Sequence, residues 1–588
     1  MVPKLTPAIS SVEPFFSFCA ALTFRSAPAL CTPSPFQMIP LLHLRPLALT
    51  TVAALSLFTA PAYADDPAAL AERRVRAHVT FLADDLLEGR ETGTRGHGLA
   101  MNYVAAQFMR LGLEPVGASG YQQPLALRQS RLDIDAGKFV IRRAGSPDIT
   151  LAPINDMIAR PAAGAAASEL TAPAVFVGFA IHAPDFNYSD FAAGIDIRGK
   201  IAVVLAGSPK SLPATAKAHY SREKTAELVR RGAVGIVSIL TPAEEKRAPW
   251  AFTVNAARFA SMRLINSDGS LHEAYPELRA TASVIRIAAA ALFPAGTRPL
   301  AEVFAASERS EPQAFALNVE LTLGGRATVS DITSANVLGW LPGADPALAG
   351  EPIVVTAHLD HLGIGPPING DSIYNGALDN ALGTAALIDA AEQLVAGQRL
   401  QRPVLFAALT AEEKGLLGAT HLVRHPPARV RRFSANLNFD MPVILAPVRD
   451  VIGIGAEHTS LGNSLAAVAG KLNVTVSPDP TPDEVVFVRS DQYPFVRAGV
   501  PALFMKAGQS GLDPKQDLAA LEADFRKTHY HKPSDDLTRP IHWPSAGTFA
   551  VLTADLIRSV ANDPVAPAWK PGDFFGSRFG PGKDAAKP

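Results

Sequence analysis

Side chains able to hold a divalent metal stand at the ends of short apolar runs in the second half of this chain. PIVVTAH stops at His358, with Asp360 two residues on; RPVLFAALT runs into Ala411-Glu412-Glu413; SANLNFD ends on Asp440. Asp379-Asn380 precedes a stretch rich in small residues, and His529-Tyr530-His531-Lys532-Pro533 lies far downstream. Imidazoles and carboxylates bind zinc and similar ions, which polarise carbonyls and acidify water. Singly, these residues have ordinary roles. A strand-end Asp caps a helix, a Glu-Glu pair is a solvated face, and a lone His is structural or exposed. Together, two histidines and three acids at strand ends need cations to offset the desolvation of their carboxylates, and they point to a metal site.

Thiolates are not available to such a site. The two cysteines, Cys19 and Cys31, both precede Met38. From Met38 the sequence has Arg45, an apolar stretch from Leu47 to about Phe58, and Ala62-Tyr63-Ala64 before Asp65. A basic start, a short apolar core and an A-x-A end describe a secretory signal peptide. Met38 is therefore read as the start, residues 38–64 as the signal peptide, and the mature protein as periplasmic or secreted. It would contain no disulfide. With no cysteine at the cleavage point to carry lipid, no membrane anchor should remain after cleavage.

Positioning such ligands requires a scaffold with its strand ends in register. From Asn336 onward, apolar runs bounded by Pro, Gly or acids alternate with long helical stretches such as ALGTAALIDAAEQLVAG. Alternation of this kind implies an α/β fold, a mainly parallel mixed sheet flanked by helices, with ligands bound beyond the carboxyl ends of the strands. Upstream, Leu70, Val75, Val79, Leu82 and Leu86 recur at helical spacing, and a second helix runs from about Leu99 to Leu111. RPAAGAAASELTA, from Arg160, reads as a linker. Residues 173–300 then form a separate α/β unit, with FVGFAIHA, IAVVLAG and AVGIVSIL as strands around the helix SREKTAELVRRG. The expected division is a leader over 1–64, an N-terminal part of the main domain over 65–160, an inserted domain over 161–305, the site-bearing domain over 306–562, and an extended Pro/Gly-rich tail over 563–588.

With 54 Lys and Arg against 55 Asp and Glu, and no basic block, the chain has no electrostatic footprint for nucleic acid.

The runs TAHLDHLG, YNGALDNALGTAAL, TAEEKGLLG, NLNFDM, RSDQYPFVRAGVPAL and YHKPSDD resemble the co-catalytic zinc exopeptidases. That family includes bacterial aminopeptidases, glutamate carboxypeptidase and glutaminyl cyclase. The motifs occur in the family's order over about 335–560, and FLADDLLEGRETGTRGHGLAMNYVAAQFMRLGLEP matches upstream. DIRGKIAVVLAG and YSREKTAELVRRGAVGIVSIL resemble the protease-associated domain often inserted in it, whose role would be a lid or specificity wall. The resemblance implies two Zn²⁺ per chain: one on His358 and Asp440, the other on Glu413 and His531, with Asp379 bridging and a cis peptide after it. Asp360 would orient the His358 ring. Glu412 would be the general base for a metal-activated water, and Tyr530 would stabilise the oxyanion. Arg90 is a candidate for lining the substrate cleft, with Ser490 and Asp491 supporting it.

The activity so implied is removal of the N-terminal residue from peptides with a free amine. Three rival readings make different demands. A glutaminyl cyclase would not need the full five-ligand set. A carboxypeptidase would need arginines that grip a terminal carboxylate, and the sequence does not reveal such a cluster. A non-catalytic binding relative would have lost the ligands and Glu412, which are all present.

Overall fold

The apolar runs that end in candidate ligands become neighbouring strands of one sheet. In the computed structural model, which describes residues 66–191 and 194–581, the strand Ile353–His358 lies between Val404–Leu409 and Ala435–Phe439 and is parallel to both. Ala502–Ala507 continues the parallel order beside Ala435–Phe439, and Asp450–Ile454 pairs antiparallel beyond it. All six residues of Ile353–His358 are buried, as expected for a parallel strand covered on both faces. Ile353, Val355 and Ala357 pack with the helices Pro67–Leu82, Leu382–Val395 and Trp543–Asn562. Val354 faces the other way, toward Leu405, Leu422 and Phe495. The leader, both cysteines and the cleavage motif lie outside the described residues. Among those described, no helix is long and apolar enough to cross a membrane.

One strand of 27 residues, Phe315–Leu341, carries the sheet into a second core. Its final residues pair with Val404–Leu409, its middle with Gln122–Arg142, and its first half with Ala167–Phe176. Beyond Ala167–Phe176 come Ile201–Leu205, Gly235–Ile239, Ala280–Val284 and Met157–Pro161. This second core draws Phe139, Ile141 and Met157 from before residue 161 and Leu317, Leu321 and Leu323 from after 305.

Three local expectations differ from the structure. The Ala-rich segment read as a linker belongs to two strands, Met157–Pro161 and Ala167–Phe176. Leu170, Ala172 and Ala174 alternate inward there, and alternation made largely of alanine is too weak to recognise. FVGFAIHA is not one strand. Gly178 and Ala180 adopt positive φ, and the Asp190 carboxylate accepts from the amides of Phe179 and Ile181 at 3.1 Å each, which turns the chain. The tail is not simply extended either. Asp573 caps a short helix, Phe574–Phe579, by accepting from Gly576 N at 2.9 Å, and Phe575 is fully buried against Phe487 and His458.

Arg90 also needs correction: it is buried (1% exposed) and does not line the cleft. Its Nε donates to Leu359 O at 2.9 Å, Nη1 to Asn375 O at 2.6 Å and to Leu82 O, and Nη2 to Gly376 O at 3.0 Å. Burial lowers its pKa to about 10, against the pull of Asp535, Asp360 and other nearby acids, so it stays charged at neutral pH. The guanidinium thus ties an N-terminal helix to the two loops that carry His358 and Asp379. Arg90→Leu removes a donor from four carbonyls, of which Gly376 O keeps Ala381 N, and should destabilise the protein by about 3–5 kcal/mol. Urea unfolding of the variant tests this, and a midpoint within error of the parent would refute the bracing role.

Candidate active site

Because the strands run parallel, their carboxyl ends bring three loops to one point. His358 closes its strand, Glu412 and Glu413 follow Val404–Leu409, and Asp440 follows Ala435–Phe439. Asp379 stands just before the helix Leu382–Val395, and its peptide bond to Asn380 is cis. His531 arrives from the loop after the helix Leu518–Thr528.

The distances sort these side chains into two groups that share Asp379. His358 Nε2 is 3.1 Å from Asp440 Oδ1 and 3.2 Å from Asp379 Oδ1. His531 Nε2 is 3.2 Å from Asp379 Oδ2 and 3.2 Å from Glu413 Oε2. Asp379 therefore turns one oxygen to each group. Two ligand atoms on one tetrahedral zinc at about 2.0–2.2 Å stand roughly 3.4 Å apart, so the spacing and the N/O donor set both fit a pair of such ions. His361 adds a ligand-type side chain that the sequence reading missed. Its Nδ1 lies 2.8 Å from Glu413 Oε1 and 3.9 Å from Asp379 Oδ2, it is fully buried, and its Nε2 has no hydrogen-bond partner among the described residues. Glu413 is thus held on one oxygen by His361 and faces His531 with the other.

A layer of hydrogen bonds fixes these groups. The Asn380 side chain donates to Phe439 O at 3.0 Å and accepts from Gly383 N and Met441 N at 3.1 Å each, which clamps the Asp379 loop to the Asp440 loop. Asp535, also missed, accepts from the amides of Leu378 and Asp379 at 3.0 Å each and joins that loop to the one bearing His531. Its sequence signal was its place in YHKPSDD, four residues after His531. Ser490 Oγ donates to Asp440 Oδ2 at 2.6 Å. Ser490 reaches the cavity wall, but its hydroxyl is committed to Asp440. Asp491 is fully buried and is not part of that wall.

Asp360 acts differently from the expectation. His358 Nδ1 meets the backbone carbonyl of Asp360 at 3.0 Å, not its carboxylate. The carboxylate accepts instead from Glu412 N and from Thr92 Oγ1, each at 3.1 Å, and Thr92 Oγ1 in turn accepts from Ala411 N at 3.1 Å. Asp360 thus orients the ring through its main chain and the Glu412 loop through its side chain. The carbonyl arrangement leaves His358 Nε2 directed at Asp440 and Asp379.

The electrostatics follow from crowding acids around imidazoles in a dry site. Burial alone would lower the His358 pKa, but Asp440, Glu412 and Asp379 outweigh it and raise it well above the usual value. His531 shows the same balance: burial lowers it, and Glu413 and Asp379 bring it up to about 10. Burial also pushes Glu412 well above the carboxylate range, helped by Asp440, Glu413 and Asp491. Tyr530 is raised as well, by burial and then by the acids around it, and its ring stacks on His531 with centroids 3.8 Å apart. A cavity of about 390 Å³ opens over these groups, with Asp379, Glu412, Glu413, Asp440, Tyr530 and His531 in its lining.

Two predictions follow from this geometry. Ser490→Ala removes the hydrogen bond to Asp440 and should weaken zinc binding by about 10- to 100-fold, read by competition with a chelator. Unchanged affinity would separate Ser490 from the site. Metal binding should also expel protons. In the metal-free protein His531, brought up to about 10, holds its proton at pH 7.5 and His358 is shifted the same way, whereas a metal needs neutral imidazoles, so protons leave as metal binds and affinity falls as pH is lowered. Calorimetry in two buffers of different ionisation heat measures this release, and a value near zero would contradict the pairing described.

The sequence profile described as Peptidase family M28 matches residues 336–557. An aminopeptidase of Pseudomonas aeruginosa (strain UCBPP-PA14) is 39% identical over 90 residues, which is 15% of this chain and 15% of that one. Aminopeptidase YwaD of Bacillus subtilis (strain 168) is 31% identical over 137 residues, 23% of this chain and 27% of that one. Leucine aminopeptidase 2 of Trichophyton rubrum is 27% identical over 262 residues, 42% and 50% of the two chains. The chain thus spans half or less of the length of these curated relatives. Among solved structures, an aminopeptidase from Aneurinibacillus sp. strain AM-1 aligns with a TM-score of 0.49 at 18% identity, covering 84% of this chain and 96% of that one. Over residues 336–557 this chain is similar to peptidase family M28.

Proposed function

We propose that this protein is an exported aminopeptidase that holds two zinc ions and hydrolyses the N-terminal residue from peptides with a free amine. The observation that carries this reading is Asp379, which turns one oxygen to His358 and Asp440 and the other to His531 and Glu413. The aminopeptidases among the relatives support the choice of reaction. His358, Asp440, Glu413 and His531 would hold the ions, with Asp379 between them. When bound, such ions act as Lewis acids and lower the pKa of water.

The residues that line the cavity supply the rest. Glu412 has a carboxylate held near the ligands and a pKa raised well above the usual range. A carboxylate so tuned can take a proton from water during attack and return it to the departing amine. Its loop is fixed by Asp360 and Thr92, so the base is aimed by the fold and not by the substrate. Tyr530 keeps its phenolic proton because its pKa is raised, and it can therefore donate to the oxygen that gains charge. Lys414 and Gly415, next in the chain after Glu413, border a cavity of about 490 Å³ also lined by residues such as Arg160, Leu278 and Thr281, which would offer room for the remainder of a peptide. The second core would then serve as a wall of the cleft.

Glu412→Gln should retain about two zinc ions per chain and lose on the order of 10²- to 10⁴-fold in kcat on aminoacyl anilides. Metal counting by emission spectrometry together with the anilide assay tests this. Cleavage of an N-blocked peptide from its carboxyl end, with free-amine anilides untouched, would replace the reading by a carboxypeptidase.

A further inference from the structure

The cavity over the ligand residues has an unusual wall. Strand pairing places Ile452 opposite Lys506 and Ile454 opposite Phe504, and residues two apart on a strand share a face. These four side chains therefore form one face, and all four line the cavity. Three are apolar. The fourth is a lysine that is 8% exposed, one strand over from the end that bears Asp440, since Met505 pairs with Phe439.

Lys506 is incompletely matched. Its Nζ lies 3.6 Å from Glu522 Oε1, longer than a hydrogen bond. That carboxylate is already occupied: Arg526 donates to Oε1 from Nη2 at 2.8 Å and from Nε at 3.0 Å, and Gln509 donates to Oε2 at 2.8 Å. Two cations share the Glu522 carboxylate, and the other acid that acts on Lys506 is Asp440, which is itself engaged with His358. The other cation in the lining, Arg489, pairs with Glu484 at 3.2 Å, where both are exposed. Asp479 accepts from its own turn, at Thr481 N. An ammonium in an apolar wall with donors to spare is a poor neighbour for a leucine side chain and a good one for a carboxylate.

We propose that Lys506 makes this pocket select an N-terminal residue with a side-chain carboxylate, aspartate or glutamate. The assignment rests on the aminopeptidase reading and names the substrate class for it. Met441, Ile452, Ile454 and Phe504 would pack the methylene groups of the side chain, and Lys506 would meet its end.

The isosteric pair glutamate and glutamine isolates the charge. Zinc-loaded wild-type protein is assayed with the Glu, Gln and Leu p-nitroanilides, and calorimetry measures binding of free L-glutamate and L-glutamine independently of turnover. The expected result is a kcat/KM for Glu about tenfold or more above Gln, with glutamate bound tighter by a similar factor. Lys506→Met should bring both ratios to about one, and Lys506→Arg should preserve much of the preference. The wild-type comparison stands even if the variants fold poorly. Equal handling of Glu and Gln, with the Leu anilide cleaved, would overturn the role of Lys506 and leave the aminopeptidase reading intact. Failure to cleave any free-amine anilide would overturn both.

Discussion

Everything at this site depends on holding Asp379, Glu413, Asp440 and Glu412 together where water is largely excluded. Like charges at such distances repel strongly in a low dielectric, and each carboxylate also loses its hydration. Two imidazoles set between pairs of these acids offset part of that cost, as the raised pKa values of His358 and His531 record. Metal ions in the same positions would offset more, because each brings two positive charges to atoms already spaced for them. The acids are tolerable only as a set with their cations. Asp491, fully buried with neither oxygen hydrogen-bonded among the described residues, shows the alternative: its pKa is pushed well up by burial, toward the neutral form.

Rigidity comes from groups that never touch the cavity. Arg90 holds carbonyls of the His358 and Asp379 loops, Asp535 holds amides of the Asp379 loop, Asn380 spans two loops, and Asp360 pins the Glu412 loop. Most of these contacts run from a side chain to a main chain. They therefore set the path of the loop before any side-chain rotamer is chosen, and a ligand group inherits its position from backbone fixed at both ends. The cost is a buried polar network in which each member leaves several partners unsatisfied if lost.

The large sheet joins the two cores. Phe315–Leu341 is long enough to pair with the Val404–Leu409 strand at one end and with the second core's Ala167–Phe176 at the other. The second core is thereby joined to the ligand-bearing part by continuous ladder hydrogen bonds as well as by chain connections. The short helix Phe574–Phe579 adds a contact, since Arg578 pairs with Asp185 at 3.0 Å and Phe574 packs against Phe186.

How much of this was legible follows from which interactions are local. The strands PIVVTAH, RPVLFAALT, SANLNFD and VPALFM could be read because a buried parallel strand is a short, uninterrupted apolar run, and their ends carried His358, Glu412, Glu413 and Asp440. Asp379 and His531 stood out by residue type alone, and the resemblance supplied their roles, which no periodicity marks. Arg90 was misread because a charged residue in a glycine-rich turn has the same local signature whether it meets solvent or four carbonyls, three of them 269 to 286 residues away in sequence. His361 was passed over beside His358 and Asp360, since only the fold brings Glu413, 52 residues on, against its ring. The sequence by itself determined the order of the strands, the residue types at their ends and the absence of thiolate ligands downstream of Met38. The tertiary structure alone decided which oxygen of Asp379 faces which histidine, that Asp360 uses its carbonyl on His358, and that Lys506 stands in an apolar wall. Those depend on distances between segments remote in the chain, and such distances are set by packing and strand register, which no local pattern encodes.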